Sequence, residues 1–150
     1  MSDVQRATKR TGQVFTAEER AAMQERAREQ RAAAHRSPAA NNGDAEREVL
    51  AKVAAMQEAD RLIAERLHRL VKSIGLSPRT WYGMPAYAKD GNVICFFQSA
   101  QKFKTRYATL GFSDKANLDE GDLWPTYYAL RKMGASEEAK IAALVEAAVS

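Results

Sequence analysis

Apolar positions along residues 45–74 recur with the period of a helix. Val49, Leu50, Val53, Met56, Ala59, Ile63, Leu67, Leu70, Val71 and Ile74 fall on one stripe, which marks a core-facing surface. Asp60 can cap a fresh start, so a break near residues 57–60 fits the same pattern. Gly75 closes the run as a left-handed C-terminal residue, and Ser77-Pro78 sends the chain off extended.

Beyond that point the period shortens to two. Residues 81–88 and 92–98 read as strands joined by Asp90-Gly91, a pair suited to the positive φ angles of a type I′ hairpin turn. In the second strand Val93, Cys95 and Phe97 alternate with Ile94 and Phe96. Both faces are apolar, so the strand is expected to be central and covered on both sides. A third strand is expected over residues 104–112, ending in the turn-forming Gly111-Phe112-Ser113-Asp114. Residues 123–132 give the last strand, with Trp124 and Tyr128 opposite Tyr127, and Pro125 places it at an edge. Gly134 breaks the chain, Ser136 can cap, and Ile141, Leu144, Val145 and Val149 form the stripe of a final helix.

Upstream, residues 1–12 are polar and expected to be disordered. Thr16 and Glu19 make a capping box ahead of an alanine-rich, mixed-charge helix to about residue 35, with Phe15 at the staple position. Apart from Met23 its apolar side is alanine, so it buries little and reads as a detached or loosely docked arm. Residues 37–43 read as a linker, and Asp44 can cap the helix that follows. The expectation is an α+β protein: an antiparallel sheet of about four strands with a long N-terminal and a short C-terminal helix packed on it. An arm (residues 1–43) precedes the domain (residues 44–150). Two helices cover one face of such a sheet. The other, aromatic face then calls for the arm, a small ligand or a second copy of the chain in a homodimer.

Composition narrows the function classes. The length of 150 residues suits one domain with a tail. No apolar run is long enough to span a bilayer and no signal-peptide core is present, which points to a cytoplasmic protein without a membrane partner. Cys95 has no second cysteine to pair with and reads as a reduced, buried, inert thiol. The net charge of +4 is spread among acidic residues, which argues against nucleic acid as the partner. Arg26, Arg28, Arg31 and Arg36 of the arm mark the alternative, a basic nucleic-acid or protein adaptor, although a solvated helix face explains them more simply.

No serine–histidine–acid set, metal-ligand cluster or glycine-rich phosphate loop is present, so catalysis is the least supported class and a binding module the best. Tyr82-Gly83-Met84-Pro85 has a steric reading, a bulge or close backbone approach at glycine. Its functional reading is a ligand pocket of Trp81, Tyr82, Met84 and Tyr87, with Lys102 and Arg106 beside it. Lys102, Lys104 and Arg106 alternate with Phe103, Thr105 and Tyr107. One strand face of cations would suit an anion, or simply guard an edge. Asp119, Glu120 and Asp122 (with Asp114 nearby) are the one acidic cluster able to offer oxygen ligands to a hard cation, though an exposed charged turn explains them better. His68 lies beside the helical stripe with no second ligand at metal spacing.

The runs WYGMPAYAKDGNVICFF, KFKTRYATLGF and LWPTYYAL, followed by a C-terminal helix, resemble the YdhG-like family of small bacterial domains over about residues 44–150. The resemblance implies an antiparallel sheet with helices packed on it, and a helix pair across residues 57–60. One member of that family is described as a frataxin-like iron chaperone, so iron handling is an implied function. The resemblance carries no iron motif onto particular residues, and the basic charge of this chain differs from the acidic surface such delivery expects.

Overall fold

The computed structural model describes residues 16–34 and 38–150. Five strands form one antiparallel sheet in chain order: β1 (Ser77–Trp81), β2 (Met84–Lys89), β3 (Asn92–Gln98), β4 (Ala108–Phe112) and β5 (Tyr127–Leu130). The helices are α1 (Ala17–Ala34), α2 (Pro38–Ala54), α3 (Glu58–Ile74), the single turn α4 (Ala100–Phe103) and α5 (Ala135–Ala148). The protein is α+β, as its patterning predicts.

The extra strand comes from a second hairpin. Trp81 pairs directly with Met84, and the two residues between them, Tyr82 and Gly83, both have positive φ (53° and 75°). That is the sign pattern of a type I′ turn, repeated at Asp90 and Gly91 (52° and 81°). A tyrosine at positive φ is uncommon, so the segment 81–88 reads as one strand from sequence and folds as two.

The alternation expected in β3 is also broken. Tyr87 pairs with Cys95 and Ala88 with Val93, which leaves Ile94 as the extra residue of a bulge. Ile94, Cys95 and Phe97 therefore enter the main core, while Val93 and Phe96 pack on the opposite face. The stretch after β3 differs too. Residues 100–103 turn as α4, Lys104 takes the left-handed conformation (φ 54°), and β4 starts at Ala108. Lys102, Lys104 and Arg106 consequently do not share a strand face.

Helices α2 and α3 separate at residues 55–57, where the break is expected. Helix α2 starts at Pro38, so the expected linker is largely helical and a boundary at residue 44 falls inside it. Proline suits a first helical turn because its missing N–H would have no partner there. The expected disorder of residues 1–12, the Phe15 staple and Arg36 lie outside the described residues.

Val49 and Val53 of α2, Leu67 and Val71 of α3, and Val145 of α5 bury one sheet face together with Tyr87, Phe97 and Leu110. Gly75 ends α3 at φ 112°, its N–H donating to the Lys72 carbonyl. Gly134 caps the start of helix α5, its N–H donating to Glu137 Oε1 at 2.8 Å. Ser136, expected as the cap, instead donates to the same carboxylate at 2.5 Å.

On the other face Ala86, Phe96, Gly111 and Tyr127 stand opposite one another across β2, β3, β4 and β5. Trp81 and Tyr127 flank the Phe96 ring at 5.3 and 5.6 Å. Phe96 is 4 % exposed and Tyr127 62 %. This face is apolar, as the strand pattern predicts, and much of its cover comes from its own aromatic neighbours.

Candidate functional site

One turn of helix cannot sustain itself in isolation, because nucleation fixes several residues for a single hydrogen bond. Helix α4 is held by Asp60. Its Oδ1 accepts the Ala100 N–H at 3.2 Å and its Oδ2 the Gln101 N–H at 3.1 Å. Asp60 is 6 % exposed. It lies in the first turn of α3, yet it caps a helix 40 residues away, while the N-cap of α3 itself, Gln57, makes no side-chain cap. This bond fixes the backbone that carries Lys102.

Between the α2–α3 break, the start of β2 and α4 lies a cavity of about 240 Å³. Met56, Met84, Pro85, Phe97 and Phe103 form its apolar lining, and Lys52 and Lys102 bring amines to it. It falls just below the usual range of small-molecule sites, roughly 300–1,000 Å³.

The amines are organised by α1. Lys102 Nζ donates to the Gly83 carbonyl and to Glu25 Oε1, both at 3.1 Å, and Lys52 Nζ donates to Glu25 Oε2 at 2.7 Å. Burial works against the Glu25 charge, but the two ammonium groups outweigh it and hold the carboxyl below its ordinary range. One helical turn on, Glu29 Oε1 accepts the Gly83 N–H at 3.2 Å. Its Oε2 is buried without a hydrogen-bond partner among the described residues. Desolvation pushes the Glu29 carboxyl up, beyond what Gly83, Thr80 and Arg26 recover.

Gly83 holds a positive φ of 75°, which glycine adopts without strain, and the ends of two flexible side chains close on it. A Cβ there would fall 2.4 Å from both Glu25 Oε2 and Lys102 Nζ. The close-approach reading of the glycine is thus the structural one. Further along α1, Glu18 pairs with Lys104 at 2.6 Å, and the Arg26 guanidinium lies 5.7 Å from the centre of the Tyr82 ring. The arm is therefore docked, not detached. Charge does what its alanine face cannot, and Ala22 is buried in the contact. Its cap is as expected, with the Glu19 N–H donating to Thr16 Oγ1 at 3.0 Å.

Of the residues singled out in sequence, Met84 and Lys102 line the cavity. Trp81 and Tyr82 are half-buried in the aromatic cluster that includes Met84. Tyr87 is not part of such a pocket. Alternation along β2 puts Met84 and Ala86 on one face and Tyr87 on the other, 1 % exposed in the main core. There its hydroxyl lies 3.0 Å from His68 Nδ1. Arg106 is exposed over the Tyr107 ring, 5.2 Å from its centre, and does not reach the cavity.

Asp119, Glu120 and Asp122 are exposed, and among the described residues no group of three or more histidine, cysteine or carboxylate side chains is arranged to hold a metal. Cys95 is buried, and burial pushes its thiol up to about 12. Sequence reasoning misses Glu25, Glu29, Lys52 and Asp60 as site residues. Each looks like an ordinary polar position of an amphipathic helix.

Fold and site together define a five-stranded α+β meander with a lysine-bordered cavity whose lysines are bridged by a carboxylate of an N-terminal helix. No protein-family model, curated protein or solved structure matches this chain. No described helix is long and apolar enough to cross a membrane.

Proposed function

We propose that the domain is a non-catalytic binding module for a small organic acid with an apolar body. The observation that carries this reading is the Glu25 carboxylate bridging Lys52 and Lys102 beside an apolar cavity. The Glu25 carboxylate, to which both amines donate, is the precedent for an acid group in the ligand. Two ammonium groups share one carboxylate, and Asp60, which also lines the cavity, is engaged by the Ala100 and Gln101 N–H groups, so amine N–H donors remain for a second anion. A ligand would place its acid group at the lysines and its hydrocarbon against Met56, Met84, Phe97 and Phe103.

Calorimetric titration with butyrate, hexanoate and benzoate, set beside butanol, hexanol and benzyl alcohol, tests the reading. The acids should bind at least about tenfold more tightly than the matching alcohols, the worth of one charge-assisted hydrogen bond. Lys102→Met should erase that preference. Equal affinity for acid and alcohol, or no binding of either, would refute it.

A further inference from the structure

We infer that the surface around Gly83 is a receptor for a helix carrying a carboxylate and, one turn on, a hydrogen-bond acceptor, and that α1 is the occupant this chain supplies for itself. An acidic helix of a partner protein with the same spacing would displace α1 and take its place. The inference shares Lys52 and Lys102 with the organic-acid reading but does not rest on it.

Glu25 and Glu29 stand four residues apart, so they project from one face of α1 a turn apart. The domain meets them with three donors from three different elements: Lys52 Nζ of α2, the Gly83 N–H of the β1–β2 turn and Lys102 Nζ of α4. Two of these are fixed independently of α1. The turn is set by β1–β2 pairing, and α4 is pinned by Asp60. The receptor is thus built into the domain, and α1 is its ligand.

The occupant is held loosely. Its attachments are polar and include Glu18–Lys104, Glu25 with the two lysines, Glu29 with Gly83 and Arg26 over Tyr82. Met23, its largest apolar side chain, is 42 % exposed. Ion pairs near the surface contribute little each and weaken with salt, so such a helix opens at low cost. The self-fit is also incomplete, because Glu29 Oε2 is buried without a partner among the described residues. A competitor that leaves no such oxygen stranded would bind more tightly than α1.

The test adds a fluorescent peptide of residues 16–34 to the full-length protein and reads anisotropy. In wild type the tethered α1 competes, and the peptide should bind weakly. Full-length Glu25→Lys protein, whose tethered α1 brings a cation against Lys52 and Lys102, should bind the unmodified peptide at least about tenfold more tightly. Glu18→Gln in the full-length chain removes the Lys104 pair from the tethered helix alone, leaves the receptor intact and should give a smaller gain. A peptide carrying Glu25→Lys should not bind, and Lys102→Met should abolish binding of the unmodified peptide to the Glu25→Lys protein. Equal peptide affinity for all three proteins, or equal binding of the altered peptide, would overturn the inference. Ala55→Phe, which fills the cavity, should stop hexanoate binding and leave peptide binding intact, so the two readings can fail separately.

Discussion

The Phe96 ring occupies the space above Gly111 on the neighbouring strand: a Cβ built on Gly111 would lie 2.3 Å from Phe96 Cζ. The two residues pair directly across β3 and β4, so neither backbone can move aside without breaking the ladder. Gly111→Ala should cost about 1–3 kcal/mol of overpacking in urea unfolding. Combining it with Phe96→Leu should cost less than the sum of the single changes, since the clash is then relieved. Additive costs would refute the contact.

Asp60→Ala leaves the Ala100 and Gln101 N–H groups without their acceptor and should destabilise by about 1–3 kcal/mol. Because α4 carries Lys102, the variant should also lose preference for acids over alcohols. Asp60→Asn keeps one acceptor and should fall between. Thermal unfolding and hexanoate titration of the same samples separate the effects.

The two carboxylates of α1 predict opposite pH behaviour. Glu25 is held low when docked, so its contribution is present above the ordinary carboxylate value and fades as pH falls through the docked value. Glu29 is held high, so docking is favoured while it is protonated and is opposed as pH rises through its raised value. At neutral pH Glu25→Gln should loosen α1 by about 0.5–1 kcal/mol, whereas Glu29→Gln should tighten it. Both differences should vanish in acid. Hydrogen exchange of α1 amides reads each directly, and loosening by Glu29→Gln at neutral pH would contradict the burial argument.

His68 and Tyr87 form a buried polar pair in an otherwise apolar core, 3.0 Å apart. Burial holds the imidazole below its ordinary range despite the nearby Glu46, so it folds neutral. Stability from this site is then present above the ordinary histidine value and is lost as pH falls below it. Tyr87→Phe should cost about 1–3 kcal/mol at neutral pH by stranding His68 Nδ1. Urea unfolding of the variant across pH checks both statements.

Cys95 in the native fold should resist iodoacetamide at mildly alkaline pH, because a thiol pushed up to about 12 offers almost no thiolate. It should react at the rate of a free thiol once unfolded. Fast native alkylation, followed by mass, would show that β3 opens.

What the sequence determined by itself is what neighbouring residues decide. The α3 stripe, the Gly75 stop, the Thr16 cap and the Asp90-Gly91 hairpin all appear where expected, since each depends on contacts within a turn or two of chain. The Tyr82-Gly83 hairpin was less legible, because its first residue is a tyrosine forced to positive φ by strand pairing on either side. The Ile94 bulge is likewise decided by register against β2, which no pattern within β3 reveals.

The site belongs wholly to tertiary structure. Asp60 looks like a local cap and in fact caps a helix 40 residues on. Glu25, Lys52, Gly83 and Lys102 come from four segments, and their charges acquire meaning only when the sheet brings them within 3.1 Å of one another along the chain of bonds that links them. Local propensity acts over a few residues. Long-range ion pairs and caps depend on the path of the whole chain, and that path is fixed only when the core has packed.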